Sequence, residues 1–200
     1  METESLETSR STSSTAPPAL AWEATLQRIY WLHTALSELA PERNDGLVPN
    51  PPATEESLAA AERRIGRALP PSYREFLLRH DGWPRFLYGA TLLGTVGLGR
   101  SSYGDLARAA FEAEETPVPE GGPPSTVRGY PGELIPFGID PSGTSVFAFD
   151  PKNCDSAGEM AVVAWINEIG MRADSFAGFL EMVAELSDAD VSICRARAAQ

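Results

Sequence analysis

The acidic side chains in the middle of the chain are the residues whose type and spacing best suit an interaction chemistry. Glu112, Glu114 and Glu115 form a dense cluster, and Asp105 and Glu120 are placed to extend it. Carboxylates grouped in this way can mimic phosphate groups toward the active site of a basic nuclease. The alternative is a solvated surface with no partner, which is the commoner role of such a cluster. We retain all five as candidate partner-binding residues.

Trp83 is the candidate aromatic residue of a binding site. It follows the pair Asp81-Gly82 and precedes Pro84, so its ring could stand at the rim of a partner-binding cleft. A large ring beside a capped helix more often serves packing. The sequence therefore favours a core role for Trp83 and keeps partner binding as the second interpretation.

Residue types that carry catalysis or metal binding do not occur in recognisable patterns. His33 and His80 lie far apart and in no hydrolase motif, and we expect His80 to interact with the negative end of its own helix. Cys154 and Cys194 form no C-x-x-C pair and are predicted to be reduced thiols. We predict a protein that is not an enzyme and that has no cofactor and no metal.

Two further patterns resemble ligand sites only in part. Asp140 and Asp150 flank a predicted hairpin, where turn and strand-end roles suffice, because the remaining ligand positions of a calcium loop are missing. Gly94, Gly97 and Gly99 have neither the dinucleotide-binding nor the phosphate-loop spacing. No nucleotide site is predicted.

The overall charge indicates the class of partner. Twenty-eight acidic and sixteen basic residues give a formal net charge of −12. A surface of this sign repels phosphate backbones and anionic membranes, and it steers a basic protein toward itself. Solubility alone is the other explanation of the charge. We expect a basic protein partner, no nucleic acid and no membrane.

The distribution of apolar residues predicts where the protein acts. The first 18 residues lack the basic start and apolar run of a secretory signal. No stretch of the chain approaches the roughly 20 apolar residues that a membrane helix needs. We therefore expect a soluble protein of the cytoplasm.

Helical spacing and prolines outline the first half of the chain. Apolar residues recur at helical intervals over 20–39, and a proline-rich linker follows over 41–52. Thr54 is placed to cap a second helix that ends at Leu69-Pro70. Pro71 suits the start of a third helix, and Gly82 is placed to end it with a left-handed cap.

Strand patterns dominate the second half. We predict strand-like structure over 86–96, a loop or short helix over 101–115, an exposed loop over 116–131, a hairpin of 133–139 with 144–149, a strand over 160–166 and a closing helix capped by Asp174. This order predicts an α+β fold with a mainly antiparallel sheet and helices packed on one face. The predicted divisions are a disordered tail (1–18), an N-terminal helix and linker (19–52), one domain (53–187) and a C-terminal tail (188–200).

Three sequence blocks, at 62–83, 135–151 and 173–183, together resemble the SUKH superfamily. The first block carries the most specific features, which are Glu62 on a helix, the Leu69-Pro70 corner, Tyr73 with Phe76-Leu77, and Asp81-Gly82. The second is similar to the family's glycine-containing strand, turn and following strand, and the third to its final helix. The resemblance covers about residues 54–186 and leaves the first helix unexplained.

The resemblance implies a single SUKH-like domain that acts by binding. Many bacterial members look like immunity proteins against polymorphic toxins, some of them nucleases, and fungal relatives include a cell-wall assembly regulator. Two functions follow. The first is an immunity protein that binds and neutralises a cognate toxin, and the alternative is a regulatory module that binds a cellular protein without toxin neutralisation.

Overall fold

The computed structural model describes residues 21–43, 46, 48–112, 134–166 and 169–199, and within them the chain forms five α-helices and six β-strands. The helices are α1 (Ala21–Leu39), α2 (Glu55–Ile65), α3 (Pro71–Arg79), α4 (Ser101–Glu112) and α5 (Phe176–Ala198). The strands are β1 (Trp83–Leu87), β2 (Ala90–Leu92), β3 (Ile135–Ile139), β4 (Ser145–Cys154), β5 (Met160–Ile166) and β6 (Ile169–Ala173). The predicted tail at 1–18 and the predicted loop at 116–131 lie outside the described residues.

The six strands form one antiparallel sheet in the order in which they follow one another along the chain. The predicted hairpin is confirmed as β3 and β4, joined by a turn in which Gly143 N–H donates to the Asp140 carbonyl at 3.1 Å. Strand β6 was not predicted, because its short sequence contains a glycine and an arginine and gives a weak strand pattern. The α+β class with a mainly antiparallel sheet and packed helices is confirmed.

Aromatic rings from the sheet, α3 and α5 meet in the core. Phe137 of β3 stacks on Phe149 of β4 with ring centroids 4.1 Å apart, and Tyr73 of α3 lies 4.8 Å from Phe176 of α5. Every residue of β5 is buried, which explains why its sequence is a continuous apolar run rather than an alternating one. This packing holds α3 against the sheet and positions the corner between α3 and β1.

Two of the predicted helix ends are wrong. Helix α2 ends at Ile65 instead of at Leu69-Pro70, because Gly66 adopts a left-handed conformation (φ 81°) and terminates the helix. Helix α3 ends at Arg79, three residues before Gly82. Gly82 is also left-handed (φ 87°), but it serves a close approach of chains: a Cβ there would lie 2.6 Å from the carbonyl oxygen of Leu92.

The closing helix begins and ends beyond the predicted positions. Ser175, and not Asp174, caps α5, since its hydroxyl accepts a hydrogen bond from Gly178 N–H at 3.1 Å. The helix continues to Ala198, so 188–198, predicted as a tail, are helical. The sequence of 188–198 is polar and therefore did not predict a packed helix. The helix packs along α1, and Val191 is buried.

Helix α1 packs along α5 through the predicted amphipathic pattern. Its buried residues are Trp22, Leu26, Ile29, His33 and Leu36. Ion pairs join α1 and the turn that follows it to α5, between Arg28 and Asp188 (3.5 Å) and between Arg43 and Asp190 (2.9 Å). The N-terminal helix is therefore part of the packed structure.

None of the helices in the described ranges is both long enough and apolar enough to cross a membrane.

Candidate functional site

Glu62 and Leu69 stabilise the corner between α2 and α3. Oε1 of Glu62 accepts a hydrogen bond from the backbone N–H of Leu69 at 3.1 Å, and the guanidinium of Arg74 lies 3.6 Å from the same oxygen. The carboxylate thus satisfies a backbone donor just beyond α2, where the regular helical hydrogen bonds have ended. This residue supports the fold of the corner.

Tyr73 and Asp81 tie the segment after β2 to this corner. The buried Tyr73 hydroxyl donates to the carbonyl oxygen of Leu93 at 2.6 Å. Asp81 accepts hydrogen bonds from the Thr95 N–H at 2.5 Å and from the Thr95 hydroxyl at 2.8 Å. Burial, with a smaller effect of the Asp81 charge, raises the pKa of Tyr73 well above its usual value, so the hydroxyl remains a donor. Tyr73 and Asp81, which belong to the first sequence block, therefore stabilise the fold through these hydrogen bonds.

Trp83 lies in the core. Its ring is 1% exposed, and its Nε1 donates to the carbonyl oxygen of Gly46 at 2.8 Å. His33 and Phe86 pack against it at centroid distances of 6.0 and 5.2 Å. The packing interpretation that the sequence favoured agrees with this position, while a contact between Trp83 and a partner stays a prediction.

Asp105 has positively charged neighbours. It is exposed on α4 and lines a cavity of about 330 Å³ together with Arg64, Arg100 and Arg108. Glu112 is the last residue of the same helix. The other three predicted acidic residues, Glu114, Glu115 and Glu120, lie outside the described residues. A joint acidic surface formed by these five residues therefore stays a prediction.

Asp140 and Asp150 have the turn and strand-end roles that the sequence indicated. Asp140 accepts hydrogen bonds from the N–H groups of Ser142 (3.0 Å) and Ser145 (2.6 Å), and Asp150 accepts from Arg172 (3.0 Å). Burial opposes ionisation of both carboxyls, but the hydrogen bonds outweigh it and lower both pKa values. Both side chains are therefore charged and already paired within the fold.

An open cleft lies between α1 and the end of α3. We call it the α1 cleft, and its volume is about 380 Å³. It is lined by Trp22, Glu23, Leu26, Gln27, Tyr30, Pro49, Arg79, His80 and Trp83. Tryptophan, tyrosine and arginine are the residue types that are enriched at the energetic centres of protein interfaces. The composition of the cleft thus suits recognition of a protein.

The charges in the α1 cleft are largely compensated within it. Arg79 forms an ion pair with Glu23, and its guanidinium carbon lies 5.1 Å from the centre of the Trp22 ring. Burial lowers the pKa of His80; a hydrogen bond to the backbone of Asn50 opposes this effect, and the charge of Arg79 adds to it. The lowered pKa favours the neutral imidazole at pH 7. His80 lies at the C-terminal end of α3, where its backbone N–H donates to the carbonyl oxygen of Phe76 at 2.7 Å, and the expected interaction of its side chain with the helix end stays a prediction.

Tyr30 and Trp31 place an aromatic pair on the outer side of α1. Their side chains are 40% and 64% exposed, and their rings meet edge to face at 6.0 Å. Sequence reasoning missed both residues, since it selected only the apolar residues on the buried stripe of the helix. The sequence did contain a signal, since Trp31 lies off the buried stripe and is therefore predicted to be exposed. An exposed aromatic side chain often marks an interaction site.

In the described part of the chain, no group of three or more His, Cys, Asp or Glu side chains is arranged to hold a metal ion. The two cysteines, Cys154 and Cys194, are not paired with each other.

A comparison with known protein families finds a match to this chain. The model described as the SMI1 / KNR4 family (SUKH-1) matches residues 52–182 of the chain. No curated protein matches the chain significantly.

The family match covers only part of the packed structure. Glu62, Tyr73 and Asp81, which hold the corner, lie inside the matched region, whereas α1 and the last part of α5 lie outside it. The large apolar side chains that are exposed among the described residues are Tyr30, Trp31, Leu39, Val48, Val96 and Ile193. Val96 alone among these six lies within the matched region.

Proposed function

The chain belongs to the SMI1/KNR4 family (SUKH-1), and from this membership we propose that it is an immunity protein that binds and neutralises a cognate polymorphic toxin. The family covers immunity proteins and related SMI1/KNR4 proteins. The observation that carries the proposal is the exposed Tyr30–Trp31 pair beside the α1 cleft. Neutralisation then requires direct protein–protein contact.

The aromatic composition of this surface supports a tight and specific contact. A few tryptophan, tyrosine and arginine residues supply most of the binding energy at typical interfaces, where they fill pockets of the partner or receive its side chains. Trp31 offers a large and stiff ring at the surface, and the α1 cleft offers a recess next to it. Together they provide a protruding group and a recess, which is the usual anatomy of a binding site.

The net charge of −12 supports a basic partner. Opposite charge speeds the encounter between two proteins and suppresses contacts with acidic competitors. A toxin that acts on nucleic acid is basic at its substrate groove, so a nuclease is a suitable target. The same charge argues against nucleic acid and anionic membranes as partners of this chain.

The proposed mechanism is binding and not catalysis. The polar side chains with the lowered pKa values, Asp140 and Asp150, already accept hydrogen bonds from other residues of the fold, and Glu62 supports a chain corner. Steric occlusion of a toxin active site needs only a stable complementary surface. The two unpaired cysteines, Cys154 and Cys194, fit the reducing environment of a bacterial cytoplasm, in which we propose that the neutralisation takes place.

Co-expression tests the proposal. The chain is expressed in a bacterium together with each protein encoded beside its gene, and cell survival and co-purification are scored together. We call a protein that is encoded beside the gene and kills the cells a toxic neighbour. If co-expression of this chain restores survival and the two proteins co-purify as a stable complex, the result supports immunity. Failure to bind or to rescue from any toxic neighbour contradicts it and favours the alternative, a regulatory module that binds a cellular protein.

A further inference from the structure

We infer that the α1 cleft is the surface that contacts the toxin and that it receives an uncharged, apolar side chain of that toxin. The inference rests on the proposed function and specifies its contact. It assigns close apolar contact and long-range electrostatic attraction to different parts of the protein surface. Apolar anchoring occurs at the α1 cleft, and the negative charge of the protein acts at longer range.

The compensated charges of the cleft determine what can enter it. Glu23 already pairs with Arg79, and Arg79 already lies over the ring of Trp22. A basic toxin side chain that entered here would meet the like charge of Arg79 and a carboxylate that is already paired. An apolar side chain leaves the ion pair between Glu23 and Arg79 intact, so neither charge is buried without a partner.

The wall and floor of the cleft favour the same occupant. Trp83 contributes to the lining although it is almost wholly buried, and Leu26 adds an aliphatic surface. His80 at the edge is neutral at pH 7, since its pKa is lowered. An entering aliphatic or aromatic group therefore meets carbon surface and neutral rings here, and removal of this surface from water favours binding.

Tyr30 connects the recess to the exposed ring outside it. Its side chain lines the α1 cleft, and its ring also contacts the exposed Trp31. The apolar surface is thus continuous from the recess to the outer side of α1. A toxin that inserts one side chain into the cleft covers the Trp31 ring with the neighbouring part of its own surface.

Helix α1 presents this surface in a fixed position. Ion pairs join Arg28 to Asp188 and Arg79 to Glu23, and the buried side of α1 packs along α5. A surface that is held before binding loses little conformational entropy when the complex forms. This position lies outside the family match at 52–182, so it can differ between relatives that share the scaffold, as recognition of different toxins requires.

Charge complementarity identifies the partner as a basic protein, because the net charge of the chain is −12. Inside the cleft the charges compensate one another, so the excess negative charge lies elsewhere on the protein. The structure thus points to a basic toxin that carries an exposed apolar side chain at its contact surface.

The four tryptophans of the chain make the contact measurable. Trp31 is 64% exposed, whereas Trp22, Trp83 and Trp165 are 2%, 1% and 7% exposed. Full-length protein labelled with 5-fluorotryptophan is titrated with an active-site-inactivated form of the toxic neighbour, and the ¹⁹F resonances are followed by NMR. A Trp31→Phe variant assigns the Trp31 resonance. We expect that resonance to shift on binding while the Trp165 resonance stays in place.

Variants measure the energetic part of the inference. We expect Trp31→Ala to weaken toxin binding by about tenfold or more, mainly through faster dissociation, and Tyr30→Ala to act in the same direction. Val96→Ala is the matched control, because Val96 is 68% exposed but lies inside the family-matched region. It should change the affinity less than about twofold, as an isolated surface substitution does.

Three outcomes overturn the inference in distinguishable ways. If the toxin is bound and neutralised while the Trp31 resonance and the affinities of both α1 variants stay unchanged, the contact lies elsewhere and the proposed function stands. If no toxic neighbour is bound, the proposed function and the inference both fail. If the Trp31 resonance shifts with protein concentration in the absence of toxin, a second copy of the chain occupies the cleft.

Discussion

The side chain of Glu62 and the backbone N–H of Leu69 are joined by a hydrogen bond of 3.1 Å across the corner between α2 and α3. The corner directs α3 onto the sheet and thereby positions the wall of the α1 cleft. Glu62 is one of the residues by which the chain resembles its family, and its contacts lie within the scaffold. The binding surface that we propose is formed by α1 together with residues at the end of α3 and the start of β1.

Glu62→Ala should lower the free energy of unfolding by about 1–3 kcal/mol, because a partly buried backbone donor loses its acceptor. Glu62→Gln is the matched control, since its amide oxygen can still accept the hydrogen bond. Urea unfolding followed by circular dichroism measures both variants. Equal midpoints for the alanine variant and the wild type would mean that this hydrogen bond does not stabilise the corner.

Trp83→Phe separates packing from partner contact at this position. The phenyl ring cannot donate to Gly46, so the variant should lose about 1–3 kcal/mol of stability. Toxin affinity, measured well below the unfolding transition, should fall less than it does for Trp31→Ala. A loss of affinity without a loss of stability would contradict the packing role and would mean that Trp83 acts mainly through its contact with the toxin in the α1 cleft.

Acid should weaken the turn that Asp140 organises. Burial opposes the ionisation of Asp140, yet the hydrogen bonds from Ser142, Ser145 and Thr144 hold its pKa below the value of about 3.9 expected in an unfolded chain. The stabilisation is therefore fully present above about pH 4 and is lost as the pH falls through the lower folded pKa.

The comparison of wild type with Asp140→Asn isolates this contribution. The variant should be less stable at pH 7, and the difference in unfolding free energy should narrow as the pH falls below about 4. Urea midpoints at several pH values measure that difference. A difference that stays constant from pH 7 to pH 3 would show that ionised Asp140 contributes nothing specific to the turn.

Several parts of the fold could be predicted from the sequence because local signals and tertiary packing agree there. The capped start of α2 at Thr54, the β3–β4 hairpin and the apolar β5 are examples. The second half of α5 could not be predicted, since its sequence is polar and its helical structure depends on packing along α1. Tertiary contacts of this kind leave little trace in local periodicity.

The candidate site was less predictable than the fold. Trp83 stood out through its neighbours in the sequence, but its ring is in the core, where packing decides its position. The α1 cleft joins residues of α1 with His80 and Trp83, which come at least 50 positions later in the sequence. Only the packing of α1 against the rest of the molecule brings these residues together.

The acidic residues should act on the rate of association. A variant with glutamine at 112, 114, 115 and 120 should associate several-fold more slowly with a basic toxin at low salt, and its dissociation rate should change little. Stopped-flow mixing at several salt concentrations measures both rates. The difference should disappear at about 0.5 M salt, where charges are strongly screened.

Asp105→Asn is the comparison for the acidic variant. Asp105 lines a cavity with Arg64, Arg100 and Arg108, whose positive charges weaken its effect at long range, so its removal should change the association rate less than the glutamine variant does. If Asp105→Asn slows association as much as the variant with four glutamines does, Asp105 belongs to the surface that first meets the toxin. An unchanged association rate for the variant with four glutamines would mean that these glutamates do not take part in recognition.

The most direct test of neutralisation by binding is a titration of toxin activity. A fixed concentration of the purified toxic neighbour, well above the dissociation constant, is mixed with increasing amounts of this protein, and the residual toxin activity is measured. We expect a linear decrease of toxin activity that reaches zero at a fixed stoichiometric ratio, and recovery of that activity when the complex is dissociated. Inactivation by far less than one equivalent, progressing with time and persisting after separation, would contradict binding as the mechanism and indicate catalysis.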